Sequence, residues 1–210
     1  MKTKKVDFKT IFPYLGFVGV VLFFQIFSGN RVFTAQNFKA IVNEVFFIII
    51  GVTGYIFIMA QGNLDFSIGS LMGLCCAAAV TGANIHPILA IPVAIAVGAA
   101  GGLLSGFVHA KLKLGSLVGT MATQYVIGGI LLLWLDGGTK MAPLGMLQWN
   151  TMTLKVIVIL VVVFAGLYVY NYTSYGKYSR AIGSCQEAAR QTGVNVPRIK
   201  IMSFVIMGCL

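Results

Sequence analysis

The sequence predicts an all-α integral membrane protein: a polytopic transmembrane helix bundle with six full spans and a truncated seventh. Three observations predict it. Only 10% of the 210 residues are charged and 58% are hydrophobic, whereas soluble domains carry about 25% charged residues. That is too few charges to coat a soluble surface, so the bilayer must solvate most side chains. Apolar runs close to the roughly 20 residues that cross a bilayer recur along the chain. The basic residues sit in the gaps between those runs, so the net charge of +10 reads as membrane orientation rather than as a nucleic-acid footprint. The lipid bilayer is the expected partner, and nucleic acid is not.

The first run, Ile11 to Phe27, follows Lys2, Lys4, Lys5 and Lys9. A signal peptide is one reading. The length of the run, its many Phe residues and the lack of an A-x-A site after it favour an uncleaved anchor helix. The second run is Ala40 to Ala60. A polar break, Gln61-Gly62-Asn63-Leu64-Asp65, precedes the third, Phe66 to about Ala83. Asn84-Ile85-His86-Pro87 is a turn, because Pro withholds an N–H and biases its predecessor away from helix. The fourth and fifth runs are Ile88 to Val108 and Leu114 to Leu135, and Asp136-Gly137-Gly138 closes the fifth with glycine turn chemistry. A loop with Lys140, Pro143 and Gly145 leads to the sixth, Leu154 to Tyr170. The polar segment 171–200 follows, and Ile201 opens a run that reaches Leu210. As a helix, that last run covers about 15 Å of a core about 30 Å thick. The natural polypeptide is therefore expected to be longer, or the reading frame truncated.

Alternate loops place Lys2, Lys4, Lys5, Lys9, Lys111, Lys113, Lys177, Arg180, Arg190, Arg198 and Lys200 on one side, and Arg31, Lys39, Lys140 and Lys155 on the other. The positive-inside rule then puts the N-terminus and the segment 171–200 in the cytoplasm. The expected location is a cell membrane crossed several times.

The fourth span carries Gly98, Gly102 and Gly106 on one face, with Gly101 and Ser105 beside them. Small residues at four-residue spacing let helix backbones approach closely. Gly69/Gly73 and Gly115/Gly119 repeat the device. Tight bundle packing is the expected role.

No catalytic site is visible. His86 and His109 lie at opposite ends of one span without a carboxylate at ligand spacing, and no metal is expected. The four cysteines, Cys75, Cys76, Cys185 and Cys209, form no C-x-x-C pair. The Gly176-Lys177 pair lacks the rest of a P-loop. The chain is expected to bind no cofactor, so any ATP would be used by a separate subunit.

Two segments remain as candidates. Asp65 stands between two apolar runs with Asn63, Ser67 and Ser70 around it. It either caps the third span, as a carboxylate accepting N–H bonds at a helix start, or marks a helix break lining a pathway. In the polar segment, Ser184-Cys185-Gln186-Glu187 reads as an S-x-x-E capping box. Ala188, Ala189 and Arg190 continue a short helix, Gly193 stops it in the left-handed conformation, and Pro197 discourages its restart. About two turns do not stand alone in water, so tertiary or partner contacts must hold them.

Gln61-Gly62-Asn63-Leu64-Asp65-Phe66-Ser67-Ile68-Gly69-Ser70 resembles the G-G-I-D-L-S-V-G-S signature of ribose-type ABC sugar permeases. Glu187-Ala188-Ala189 with Gly193 resembles the E-A-A-x-x-x-G loop of binding-protein-dependent permeases. The flanks Tyr175-Gly176-Lys177-Tyr178 and Ala181-Ile182-Gly183-Ser184 are similar to the family's Y-G-R-x-x-x-A-I-G-x-N. Cys185 stands where Asn is usual.

The resemblance implies the permease family of ribose and other simple-sugar ABC transporters, with residues 1–210 as the N-terminal part of a longer single transmembrane domain. It implies two ATP-binding subunits, a second permease copy or paralogue, and an extracytoplasmic sugar-binding protein as partners. Ser184, Glu187, Ala188, Ala189 and Gly193 would form a coupling helix within the cytoplasmic segment 171–200. The function implied is a non-enzymatic, membrane-spanning transport subunit. The alternative is a truncated, non-transporting membrane fragment with a structural or assembly role. An ion-coupled transporter would need intramembrane ionisable residues, and only Glu44 and Asp65 approach that.

Overall fold

The computed structural model describes residues 8–112 and 114–210. Lys2, Lys4, Lys5 and Lys113, counted in the charge asymmetry, lie outside them. Every regular element among the described residues is helical. The chain divides into two units, residues 1–47 and residues 48–210.

The first unit holds helix α1 (Phe8–Phe27) and the start of α2 (Ala35–Met59). Gly29 and Asn30 take left-handed backbone conformations. The Gly29 N–H reaches Ile26 O and the Asn30 N–H reaches Gln25 O, which closes α1 with a Schellman turn. The Thr34 hydroxyl accepts the Asn37 N–H at 3.4 Å as α2 begins.

The second unit carries the rest of α2, then α3 (Ile68–Ile85), α4 (Ala90–Lys111), α5 (Ser116–Leu135), α6 (Met152–Tyr172), α7 (Ser174–Ser184), α8 (Gln186–Gln191) and α9 (Val196–Cys209). A single 3₁₀ turn, Pro87–Leu89, joins α3 to α4. Among the described residues, five helical segments are long and apolar enough to cross a membrane: α2, α3, the 3₁₀ turn with α4, α5 and α6. The apolar stretch of α1, Phe12–Phe27, is shorter. Large apolar side chains such as Tyr125, Leu133 and Phe164 point outward, and α6 buries none of its residues. In a bilayer these faces meet lipid tails at no cost.

Helix α9 is the hub of this unit. It begins at Val196 rather than Ile201 and runs 14 residues. Pro197 does not keep the helix from restarting. It occupies the first turn of α9, where a missing N–H costs nothing, and Asn195 caps that turn by accepting the Arg198 N–H at 3.2 Å. Along α4 the glycine stripe faces α9 backbone to backbone. A Cβ at Gly98 would overlap Gly208 O, one at Gly102 would overlap Phe204 O, and one at Gly106 would lie 3.0 Å from Ile201 Cα. The neighbouring Gly101 receives Leu71 of α3. On its other side α9 meets α2, where a Cβ at Gly54 would lie 3.0 Å from Met207 Cα. Ile58, Phe204 and Met207 fill the space between, with Tyr55 and Ile68 against them. Leu71, Leu74 and Ile127 make a second core among α3, α4 and α5. The other two expected small-residue pairs are only half used. Gly73 takes the Leu131 side chain, while Gly69 and Gly115 meet nothing within 4 Å.

Candidate functional site

The break between α2 and α3 is built as a buried knot. Gly62 is left-handed at φ +72. Its N–H reaches Met59 O at 2.9 Å and the Asn63 N–H reaches Ile58 O at 3.2 Å, a Schellman ending that turns the chain sharply. The next four N–H groups have no helical partner, and each meets a side-chain oxygen. Leu64 donates to Ser116 Oγ at 3.3 Å, Asp65 to Tyr55 Oη at 3.0 Å and Phe66 to Thr120 Oγ1 at 3.2 Å. Ser67 donates to Asp65 Oδ1 at 2.7 Å. Irregular backbone among membrane helices persists only where protein or water satisfies it, and here hydroxyls and a carboxylate from α2, α5 and the break itself do so.

Asp65 therefore does not cap α3 in the way the sequence suggests. Ser67 is the capping position, and its own side chain makes no capping bond. The Asp65 carboxylate lies two residues earlier and closes an Asx turn, taking both the N–H and the hydroxyl of Ser67. The Ser67 hydroxyl also contacts Ser105 Oγ of α4 at 3.0 Å, so one carboxylate pins α3 to α4. Asp65 is 3% exposed and its Oδ2 has no partner. Burial pushes its carboxyl above the usual range, and the two Ser67 hydrogen bonds pull partly back. An acid whose folded pKa is raised favours folding most at low pH and loses that contribution as pH rises through the folded value. Asn preserves the Asx turn without the charge. Asp65→Asn is thus expected to match wild-type stability in acid and to exceed it increasingly towards neutral pH, as read by thermal unfolding in detergent across a pH series. A variant that loses stability at neutral pH would show that the ionised carboxylate supports the fold. Ser70 is half-buried and faces Gly128 of α5.

The same end of the second unit carries α7, α8 and the start of α9. Thr173 Oγ1 accepts the Gly176 N–H at 3.4 Å and begins α7, a helix the polar composition of 171–184 conceals. Two glycines of the motif flanks have packing reasons. A Cβ at Gly176 would overlap Tyr170 O, and one at Gly183 would overlap Ala60 O. Helix α7 thus lies directly on the chain just past the end of α2.

The capping box at Ser184 and Glu187 does not form. Helix α7 continues through Ser184, whose hydroxyl donates to Arg180 O at 3.1 Å. Only Cys185, extended at φ −158, separates α7 from α8, and its side chain caps nothing. Glu187 remains in the first turn of α8, where a carboxylate suits the helix dipole. Gly193 is left-handed at φ +86, as expected. Its N–H reaches Arg190 O and the Val194 N–H reaches Ala189 O, a complete Schellman motif. Ala189 is 4% exposed and packs with Ile182 of α7 and Val196 of α9. These tertiary contacts hold the short helix, while Ser184, Glu187 and Ala188 stay exposed. A cavity of about 740 Å³ opens beside it, lined among others by His109, Leu114, Arg190, Asn195 and Lys200.

A hydrogen-bonded ring joins the break to this segment. Gln61 Nε2 donates to Ser179 Oγ of α7 at 3.2 Å and to Ser203 Oγ of α9. Tyr175 Oη meets Ser203 Oγ at 2.5 Å, and Ser179 also bonds the phenol. Burial raises the Tyr175 phenol above its usual range, partly offset by Ser203 and Ser179. None of Gln61, Tyr175, Ser179 and Ser203 stands out as a site residue in the sequence. The one available signal is that Gln61, Ser179 and Ser203 are polar residues placed next to apolar runs.

A multi-helix bundle of lipid-facing helices, broken by a satisfied polar knot and bearing a compact polar helical segment, defines a multi-pass membrane protein. Over residues 37–210 the chain matches, and belongs to, the family described as branched-chain amino acid transport system / permease component. Ribose and arabinose permeases are among its curated relatives, so the resemblance to sugar permeases holds. It is similar to the ribose import permease protein RbsC of Escherichia coli (strain K12), with 27% identity over 190 residues, 85% of this chain and 59% of that protein. It is similar to the L-arabinose transport system permease protein AraH of the same strain, with 31% identity over 166 residues, 74% of this chain and 50% of that protein. The autoinducer 2 import system permease protein LsrC of Escherichia coli O9:H4 (strain HS) is 28% identical over 206 residues, 92% of this chain and 59% of that protein. The chain thus spans half to about three-fifths of the length of these relatives. No solved structure matches it.

Proposed function

We propose that this chain is a membrane-spanning permease subunit of an ATP-driven importer for a simple sugar, contributing to the translocation pathway. Separate ATP-binding subunits supply hydrolysis, an extracytoplasmic binding protein delivers the sugar, and a second permease copy or paralogue completes the pathway. The chain itself performs no covalent chemistry and holds no cofactor. On this reading α1 is the first of six spans and α9 opens a seventh. The N-terminus and the segment 171–200 face the cytoplasm. The observation that carries the reading is the α7–α8 segment: a short helix, fixed by Ala189 and by the left-handed Gly193, presenting Glu187 and Ala188 outward within a chain similar to sugar-import permeases. Such a rigid, exposed helix suits docking in a partner's groove. ATP-driven closure of the partner would then move the segment as a lever. Asp65 serves the fold of the break on this reading rather than touching sugar.

The test is uptake of radiolabelled ribose, arabinose and autoinducer 2 in vesicles containing this permease, its ATP-binding subunits and the binding protein. ATP-dependent accumulation of one of them is expected. Normal insertion without uptake of any would favour a structural or assembly role instead.

Orientation has its own measurement. Cys185 is exposed between α7 and α8, and Gly145 lies in the 3₁₀ turn Leu144–Trp149 before α6. Impermeant thiol reagents on intact cells are expected to spare Cys185 and to label a Gly145→Cys variant. Labelling of Cys185 in sealed cells would reverse the assigned sides.

A further inference from the structure

We propose that Gln61 is a positioning residue that ties the α7–α8 segment to the break between α2 and α3, so that movement of the segment is delivered to both spans at that point. The proposal rests on the transport reading above and names the joint within it.

Gln61 is 5% exposed and sits at the end of α2, immediately before the left-handed Gly62. Its amide gives one proton to Ser179 of α7 and the other to Ser203 of α9. Ser179 and Ser203 are themselves fully buried. Tyr175 of α7 bonds the same Ser203 hydroxyl, so α7 and α9 are cross-tied as well. At Gly183 the α7 backbone rests on Ala60 O, so no side chain cushions the contact. From Gln61 the path is short and stiff: Asn63 N–H is locked to Ile58 O, and Asp65 and Ser67 join α3 to α4.

The ring also separates a transmission role from mere stability. Gln61 is the donor in both of its bonds. The Ser203 proton has Ile199 O as acceptor, and Ser179 retains the Tyr175 phenol. Gln61→Leu therefore strands no buried donor, and it removes the unpartnered Oε1. Unfolding temperature should change little, since an unmade bond without an orphaned donor costs little. The mechanical link, however, is cut.

The experiment uses the complete transporter in vesicles and measures uptake per ATP hydrolysed, together with hydrogen–deuterium exchange of the α7 amides. In Gln61→Leu, hydrolysis is expected to persist, uptake per ATP to fall about tenfold, the size of a lost coupling between two sites, and α7 exchange to speed up. Ser179→Ala and Ser203→Ala are expected to give smaller losses that do not add to that of Gln61→Leu, because they cut the same link. They carry the test if Gln61→Leu inserts poorly. A wild-type uptake-to-hydrolysis ratio overturns the proposal, whether or not exchange changes. If the wild-type assembly moves no sugar, the transport reading fails by itself and exchange decides the tie: faster exchange in the variants supports it, and unchanged exchange overturns it.

Discussion

Gly98→Ala and Gly102→Ala are each expected to dislodge α9 from α4, whereas Gly69→Ala is expected to leave it seated with a small gain in stability. All three exchange glycine for the better helix former, so propensity alone predicts a gain in each. Packing reverses the sign at two of them. The new methyl at Gly98 would overlap Gly208 O, and at Gly102 it would overlap Phe204 O with Val205 Cα 3.1 Å away. The obstructing atoms are backbone and cannot rotate aside, so the helices must separate. The cost is expected at the upper end of the roughly 1–3 kcal/mol of overpacking, or beyond it. At Gly69 a methyl meets nothing within 4 Å. Unfolding in detergent, with disulfide trapping between cysteines introduced on α4 and α9, measures the difference. Equal stability of all three variants would mean that α9 is not seated on the stripe.

The second large effect is expected at Gly193. Its φ of +86 closes the Schellman turn that returns the chain from α8 to α9. A β-branched side chain is poorly tolerated there, with about 1–2 kcal/mol or more of backbone strain. The turn holds Val194 against Ala189, so relaxing it frees α8 from α7 and α9. Membrane insertion depends on the apolar spans and should persist. In the proposed transporter, Gly193→Val is expected to abolish co-purification with the ATP-binding subunits and the stimulation of their hydrolysis. Glu187→Lys is expected to do less to the fold of α8, because Glu187 closes no capping box and contributes a helix-dipole interaction of about 0.3–1 kcal/mol. If Gly193→Val retains wild-type binding and stimulation, the segment is not the transmission element. If Glu187→Lys proves the more damaging change, the carboxylate is contacting a partner directly.

The sequence by itself determined the class of this protein. Composition and run length require a bilayer, because a chain with so few charges cannot be hydrated as a globule. Its local motifs were equally legible where they depend on a few neighbouring residues. The left-handed Gly193 and the turns at 61–65 and 136–138 follow from glycine's freedom at positive φ and from the loss of apolar character. What the sequence could not determine was which surfaces meet. The stripe Gly98–Gly102–Gly106 announces a close approach, but nothing local names α9 as the partner, since any helix backbone fits a groove of hydrogen atoms. Ser184 and Glu187 have capping-box spacing, yet α7, anchored at Gly176 and Gly183, carries helix through Ser184 and leaves Cys185 to make the corner. Pro197 reads as a stop, and Asn195 turns it into a start. Tertiary structure alone converted Gln61, a polar residue just past an apolar run, into a buried double donor. A polar side chain next to an apolar run is costly or useful according to whether distant hydroxyls arrive to meet it, and those hydroxyls lie more than a hundred residues away, at Ser179 and Ser203.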